Sequence, residues 1–298
     1  MEFKPTYGSF EVIGKVVGMK DSKAYSQGIG TDSEWNRIQF GLKIAENSFS
    51  YVELMGSKRE KVKLFKRTIN NKFDKSTFKF VNWEEAYKDE QYSVTNLIKI
   101  NIGNELNDKE LLPYDAVNYI HNNSIDGLRV LVKGNLNYST YQSQVQVKQV
   151  IREIVLADST LSYSHPYSIF EQNAIYDSIE INDDCCYLMV QIINKVSDDI
   201  DALKYQFILN RKLAELIKLN CSRGMTLKLY GFNKNYVSLI QTENNEKLIT
   251  GAAIKELEVT GFSVLPDNLC DLDYLDSLKI QGSPFEENHD NNSNKFGF

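Results

Sequence analysis

From Lys58 to Lys79 the chain reads "KREKVKLFKRTINNKFDKSTFK", with nine Lys or Arg against two acids, Glu60 and Asp74. Phe65, Phe73 and Phe78 are interleaved, and Phe80 follows. Cations every few residues suit a polyanion, whose phosphates they contact while counterions are released. Rings between them suit stacking on unpaired bases, worth about 1–3 kcal/mol each. Lys58, Arg59, Lys63, Lys66, Arg67 and Lys72 are the candidates for such contacts. The plain alternative is a basic hairpin whose Phe residues are core and whose lysines are only solvated; composition leaves both open.

Residues for covalent or acid–base chemistry are sparse. His121, His165 and His289 have no Cys, Asp or Glu at ligand or triad spacing. "GIG" at Gly28–Gly30 lacks the third Gly and following helix of a dinucleotide site, and "GSK" at Gly56–Lys58 lacks the upstream Gly of a phosphate loop. The acids of "DNLCDLDYLD" match no Ca²⁺ loop. Cys185, Cys186, Cys221 and Cys270 form no CxxC or zinc pattern and read as reduced thiols. No cofactor, metal or catalytic centre is expected.

The elements that would hold the binding residues are strands. "FEVIGKVVG", "NRIQFGLKI", "FSYVELMG" and "LRVLVKGNL" alternate apolar and polar with period two, between Gly, Asn, Asp or Ser. Before the fourth lies "PYDAVNYIHNNSIDG", where Pro113 suits a helix start, Ala116, Val117 and Ile120 have helical spacing, and Gly127 supplies a stop. A polar turn, "NYSTYQSQ", then leads to "VQVKQVIREIVLA". Three strands, a helix and a hairpin follow the chain order of the OB-fold, a five-stranded Greek-key barrel whose strands two and three and flanking loops hold oligonucleotides or oligosaccharides. On that fold Lys20, Lys23 and Tyr25 occupy the first loop, and Tyr138 and Tyr141 the last hairpin. Trp35 and Arg37 lie at or beside strand two. Alternation turns Ile38 and Phe40 inward and leaves Arg37 and Gln39 facing the groove.

The strand words recur. "VIGKV" pairs with "IINKV", "RIQFGL" with "KYQFIL", "VLVKGNLNY" with "LKLYGFNKNY", and "IREIVL" with "IKELEV", in the same order in both halves. A duplication is therefore expected: a mostly β protein of two tandem OB-like Greek-key barrels. The first spans 1–165, with a large basic insertion at about 57–112 that should carry elements of its own. A junction falls at "HPYSIFEQNAIYDS", His165 to Ser178. The second barrel spans 175–265 and reads as degenerate, because its helix, "RKLAELIKLN", follows the second strand, earlier than in an orthodox barrel. An acidic tail fills 266–298.

The formal net charge of −6 argues against a basic coat but not against a basic groove balanced elsewhere. No apolar run is long enough to span a membrane, and the start lacks signal-peptide order. A cytoplasmic location is expected. From Val264 onward the acids are Asp267, Asp271, Asp273, Asp276, Glu286, Glu287 and Asp290, against Lys279 and Lys295. From about 283 the composition predicts disorder, yet the chain ends on Phe296 and Phe298, which suit a docking tip.

The tandem barrel pattern, the basic aromatic run and the acidic tail closing on Phe298 resemble single-stranded DNA-binding proteins of replication, most closely those of tailed bacteriophages. The resemblance implies a cleft that wraps single strands without sequence preference. It also implies a tail that recruits replication or recombination proteins, or competes with DNA for the cleft. A phage-encoded chain would work in its host's cytoplasm. The ending "NKFGF" departs from the bacterial tail, which is denser in Asp and closes on Pro-Phe. Two barrels in one chain also differ from the bacterial one-barrel subunit, which tetramerises. The competing classes are a protein–protein module, such as a virion or tail component, and a carbohydrate-binding barrel that uses the rings without the lysines.

Overall fold

Period-two alternation builds the first barrel. Its strands are β1 (Gly8–Val17), β2 (Tyr25–Ile29), β3 (Glu34–Ala45), β4 (Ser48–Lys58), β10 (Arg129–Tyr141) and β11 (Gln144–Leu156). The computed structural model describes residues 4–68, 73–103, 108–142, 144–157, 167–182, 185–196, 199–241, 247–266 and 269–274. Lys72, His165, His289 and the tail from 275, with Phe296 and Phe298, lie outside the described residues.

Except on the short β2, one phase of each strand is buried: Phe10, Val12 and Val16 on β1, Ile38, Phe40 and Leu42 on β3, and Val52 and Leu54 on β4. Val130, Val132 and Leu136 on β10 and Ile151 and Ile154 on β11 complete the wall. β1 pairs with β3, β3 with β4, β4 in parallel with β11, β11 with β10, and β10 with β1, so the sheet closes. α1 (Pro113–Asn123) sits between β4 and β10 in the chain and buries Ala116, Val117 and Ile120. This is the OB-like Greek key.

The second barrel is complete, which corrects the degenerate reading. Its first strand, β12 (Ser168–Ile181), occupies the stretch expected to be a junction. It is followed by β13 (Cys186–Val196), β14 (Asp199–Leu209), α2 (Arg211–Asn220), β15 (Thr226–Gln241) and β16 (Lys247–Val264). β12 pairs with β13, β13 with β14, β14 in parallel with β16, β16 with β15, and β15 with β12. With β12 counted, the helix falls after the third strand, as in the first barrel.

From helix to fourth strand the two copies match at one constant spacing. Val117 and Ile120 correspond to Ala214 and Ile217, all buried. Gly127 and Gly224 share a positive φ and the same partners: their N–H groups donate to Val16 O and Tyr176 O, each at 2.8 Å. Gly134 and Gly231 open the same bulge, on each of which a Cβ would stand 1.9 Å from a carbonyl oxygen, that of Val150 or Glu258, and 2.7 Å from Phe10 or Phe170. The bulge makes the buried positions Ile151 and Ile154 three apart. "VLVKG" and "LKLYG" are thus true counterparts. "IREIVL" and "IKELEV" share strand five but not register, since Gly134 faces Ile151 whereas Gly231 faces Val259. "VIGKV" and "RIQFGL" lie on strands one and two, their partners on strands two and three.

The barrels join through their first strands. β1 and β12 run antiparallel with Phe10 opposite Phe170, and Gly8–Gln172 and Val12–Ser168 flank that pair symmetrically. Ile13 N donates to Tyr167 O and Asn173 N to Tyr7 O, each at 3.0 Å, on either side of the same internal dyad. A second junction lies where Asn47 Nδ2 donates to Val237 O and Val237 N to Asn47 O.

The insertion folds on its own. β5 (Lys61–Arg67), β6 (Phe73–Asn82) and β7 (Tyr92–Ser93) form a three-stranded sheet in the order β6-β5-β7. Val62, Leu64, Trp83, Ala86, Val94 and Leu112 form its core. β8 (Ile98–Asn101) adds in parallel to β11 and pairs with β9 (Lys109–Leu111). Asp115, in the first turn of α1, accepts from Trp83 Nε1 at 2.9 Å and Tyr87 Oη at 2.6 Å, which fixes the insertion to the helix. Among the described residues no helix is long and apolar enough to cross a membrane.

Candidate functional site

Directly opposed residues of neighbouring strands share a face, so register lays out the first barrel's outer surface row by row. Gly28, Trp35 and Ser57 form one row, Ser26, Arg37 and Met55 the next, then Gln39 with Glu53, and Gly41 with Tyr51. Tyr51 and Met55 are 61% and 58% exposed. The Trp35 indole lies on Gly28, where a Cβ would come within 2.8 Å of the ring. These rings occupy the polar phase of their strands and support no core.

A groove of about 550 Å³ crosses this face. One wall is the excursion after β1, with Gly18, Asp21, Lys23 and Ala24; the other is Val147–Gln149 of β11. Gln39, Gly41, Tyr51 and Glu53 line the space between. The excursion exists because strand one is broken: β2 resumes pairing with β3 only at Tyr25, and Gln39 N donates to Ala24 O at 2.8 Å. In the second barrel β12 runs unbroken against β13 through Ile181 and builds no such wall. The Glu53 carboxylate is shared by Arg37, through a short ion pair, and by Lys148 Nζ at 3.4 Å. Two cations on one acid leave the floor with a positive surplus.

The chain passes from β4 to β5 in two residues, Arg59 and Glu60. On the β5–β6 hairpin, Val62 faces Val81 and Leu64 faces Lys79 on the side that carries the buried residues. The other side carries Lys61, Lys63 with Phe80, and Phe65 with Phe78. Phe78 and Phe80 are 51% and 59% exposed and meet edge to face at 5.8 Å. Lys63 Nζ lies 4.0 Å from the Phe78 ring centroid. Valine and leucine, not these phenylalanines, make the hairpin's core.

The expected contact residues separate into three groups. Lys20, Lys23, Arg59, Lys63, Lys66 and Tyr141 are exposed, and Lys58 and Trp35 are half-buried beside the face. Tyr25, Arg37 and Arg67 are held. Tyr25 stacks on His121 at 4.2 Å, with its hydroxyl within reach of Gln27 and Asn118. Arg37 serves Glu53. Arg67 donates to Ser93 Oγ at 3.0 Å and to Glu110 at 3.4 Å, so it braces the insertion. Tyr138 leaves the exposed set: it is 6% exposed, edge to face with Tyr205 at 5.1 Å between the barrels. Burial holds the Tyr138 phenol far above its ordinary range and pushes Tyr205 up to about 12. Alternation already implied this, since Tyr138 is in phase with buried Val132 and Leu136. Tyr51, Met55 and Lys148 were missed, although all three occupy outward phases.

Residues 103–261, more than half the chain, match the family described as YorF. The chain belongs to the YorF family. The matched span runs from before α1 through both bulge glycines into β16 and leaves out β3, β4 and the β5–β6 hairpin. No curated protein matches the chain in sequence. Among solved structures, the wild-type single-stranded DNA-binding protein from Thermus aquaticus is 9% identical, with 90% of this chain and 97% of that one covered and a TM-score of 0.43. A deletion mutant of that Thermus aquaticus protein is 12% identical, covering 89% of this chain and 98% of that one, with a TM-score of 0.44.

Proposed function

We propose that this chain is a sequence-nonspecific single-stranded DNA-binding protein that acts in DNA replication, recombination or repair. The strand lies across the outer face of the first barrel and along the outer side of the β5–β6 hairpin. Lys23, Lys58, Arg59, Lys61, Lys63 and Lys66 contact phosphates, while Trp35, Tyr51, Phe78 and Phe80 receive bases. The acidic tail, with Phe296 and Phe298, engages partner proteins or competes with DNA for the groove.

The observation that carries this reading is the exposure of Phe78 and Phe80 beside Lys63 on a hairpin whose core is complete without them. Paired exposed rings among cations suit a ligand with flat faces and a charged backbone. A duplex hides its base faces in the stack, so an unpaired strand fits better. The groove on the barrel has the same two ingredients.

Fluorescence anisotropy with a labelled oligothymidine tests the proposal. It predicts binding at micromolar protein that weakens steeply with salt and exceeds binding to a duplex of equal length. Absence of salt-sensitive binding would refute it. Charge reversal at Lys63 and Lys66 should collapse DNA binding, whereas a sugar-binding barrel would be indifferent.

A further inference from the structure

One row on the first barrel's outer face has no account in folding. Lys15 of β1 stands directly opposite Lys43 of β3, and on its other side directly opposite Arg129 of β10. Val16, Leu42 and Val130 point into the core, so these three point outward. Opposed side chains begin about 4.5–5.5 Å apart at Cβ, and like charges in that position destabilise a sheet. Lys15 and Lys43 are exposed, and neither has an ion-pair partner among the described residues. The row continues to Phe49 of β4, opposite Lys43. It adjoins the groove: Val17, Gly41 and Tyr51, which line it, lie two residues further along the same three strands.

The second barrel shows the positions of Lys15, Lys43 and Arg129 without charge. By register its counterpart is Thr226, Ile175, Gln191 and Lys204. Ile175 and Gln191 are buried, and Leu272, from the segment after β16, packs on Ile175 with Ile193 and Ala202. At the positions of Lys15 and Lys43 the second barrel thus carries uncharged, buried residues, Ile175 and Gln191. In the first barrel the two lysines are aligned and open to solvent.

We infer that Lys15 and Lys43, with Arg129 beside them, form a phosphodiester-binding row that extends the groove toward β10. The inference rests on the single-strand reading and assigns part of its path. The strand leaves the Tyr51 end of the groove and crosses β3 and β1, where its phosphates relieve the repulsion between the two lysines.

The test is oligothymidine binding across salt for the full chain, for Lys15→Gln/Lys43→Gln, and for Lys212→Gln/Lys218→Gln on the exposed face of α2. Two lost phosphate contacts should lower the slope of log K against log salt by about 1.4 on a single strand. The α2 variant should keep the full slope. The Lys15/Lys43 variant should melt no lower than the parent, because neutral side chains remove a like-charge pair. A parent that binds while Lys15→Gln/Lys43→Gln keeps its slope would overturn this inference and leave the single-strand reading standing. An equal fall in the α2 variant would also overturn it, by showing a net-charge effect. A parent with no salt-sensitive binding would sink both.

Discussion

The two barrels share strand order, helix position, bulge glycine and internal dyad, yet their outer faces have diverged. In the first, strand one breaks at Gly18, an excursion walls a groove, and Tyr51 and Met55 stay uncovered. In the second, β12 runs through without a break, and the segment around Leu272 lies on Ile175, Ile193 and Ala202. Arg223 holds that segment, donating to Asp177 and Asp273 at 2.8 Å each. Inward residues preserve the barrel, while the outward phase and the connections are free to change. On the proposed reading, one copy serves as the binding surface, while the other covers its own face.

The largest expected effect probes the covered face. Leu272→Ala removes a buried side chain, so chemical denaturation should show a loss of about 2–5 kcal/mol while oligothymidine affinity is unchanged. A parallel loss of affinity would break the division between the copies. Gly134→Ala and Gly231→Ala should each cost about 1–3 kcal/mol by similar amounts, because each new methyl meets a carbonyl at the same place. Clearly unequal losses would mean that the bulges are not equivalent. Phe78→Ala and Phe80→Ala should each weaken single-strand binding by about 1–3 kcal/mol. They should leave the melting midpoint nearly unmoved, which is the sharpest contrast with Leu272.

Much of this was legible in the sequence where burial enforces a period. Ile38 and Phe40 are core and Arg37 and Gln39 face outward, and the helix with Ala116, Val117 and Ile120 follows its spacing and stop. The second barrel's first strand was hidden for a physical reason. β12 pairs along both edges and buries Gln172 opposite Gly8, where the missing side chain makes room for the amide, so a polar residue breaks the apolar phase. Without β12 the second helix looked misplaced. Phe65, Phe78 and Phe80 were ambiguous because hairpin faces depend on what packs beneath them, and Val62, Leu64 and Trp83 took that role. The Lys15–Lys43 row was invisible, since cross-strand opposition is a property of register.

The two tryptophans give the most direct measurement. Trp35 lies half-buried on the first barrel's face, whereas Trp83 is enclosed in the insertion core and donates to Asp115. In a Trp83→Phe chain, titration with oligothymidine should quench the remaining Trp35 emission at micromolar protein, and added salt should restore it. Unchanged Trp35 emission with bound oligothymidine would place the strand elsewhere and rule out a path across the first barrel's face.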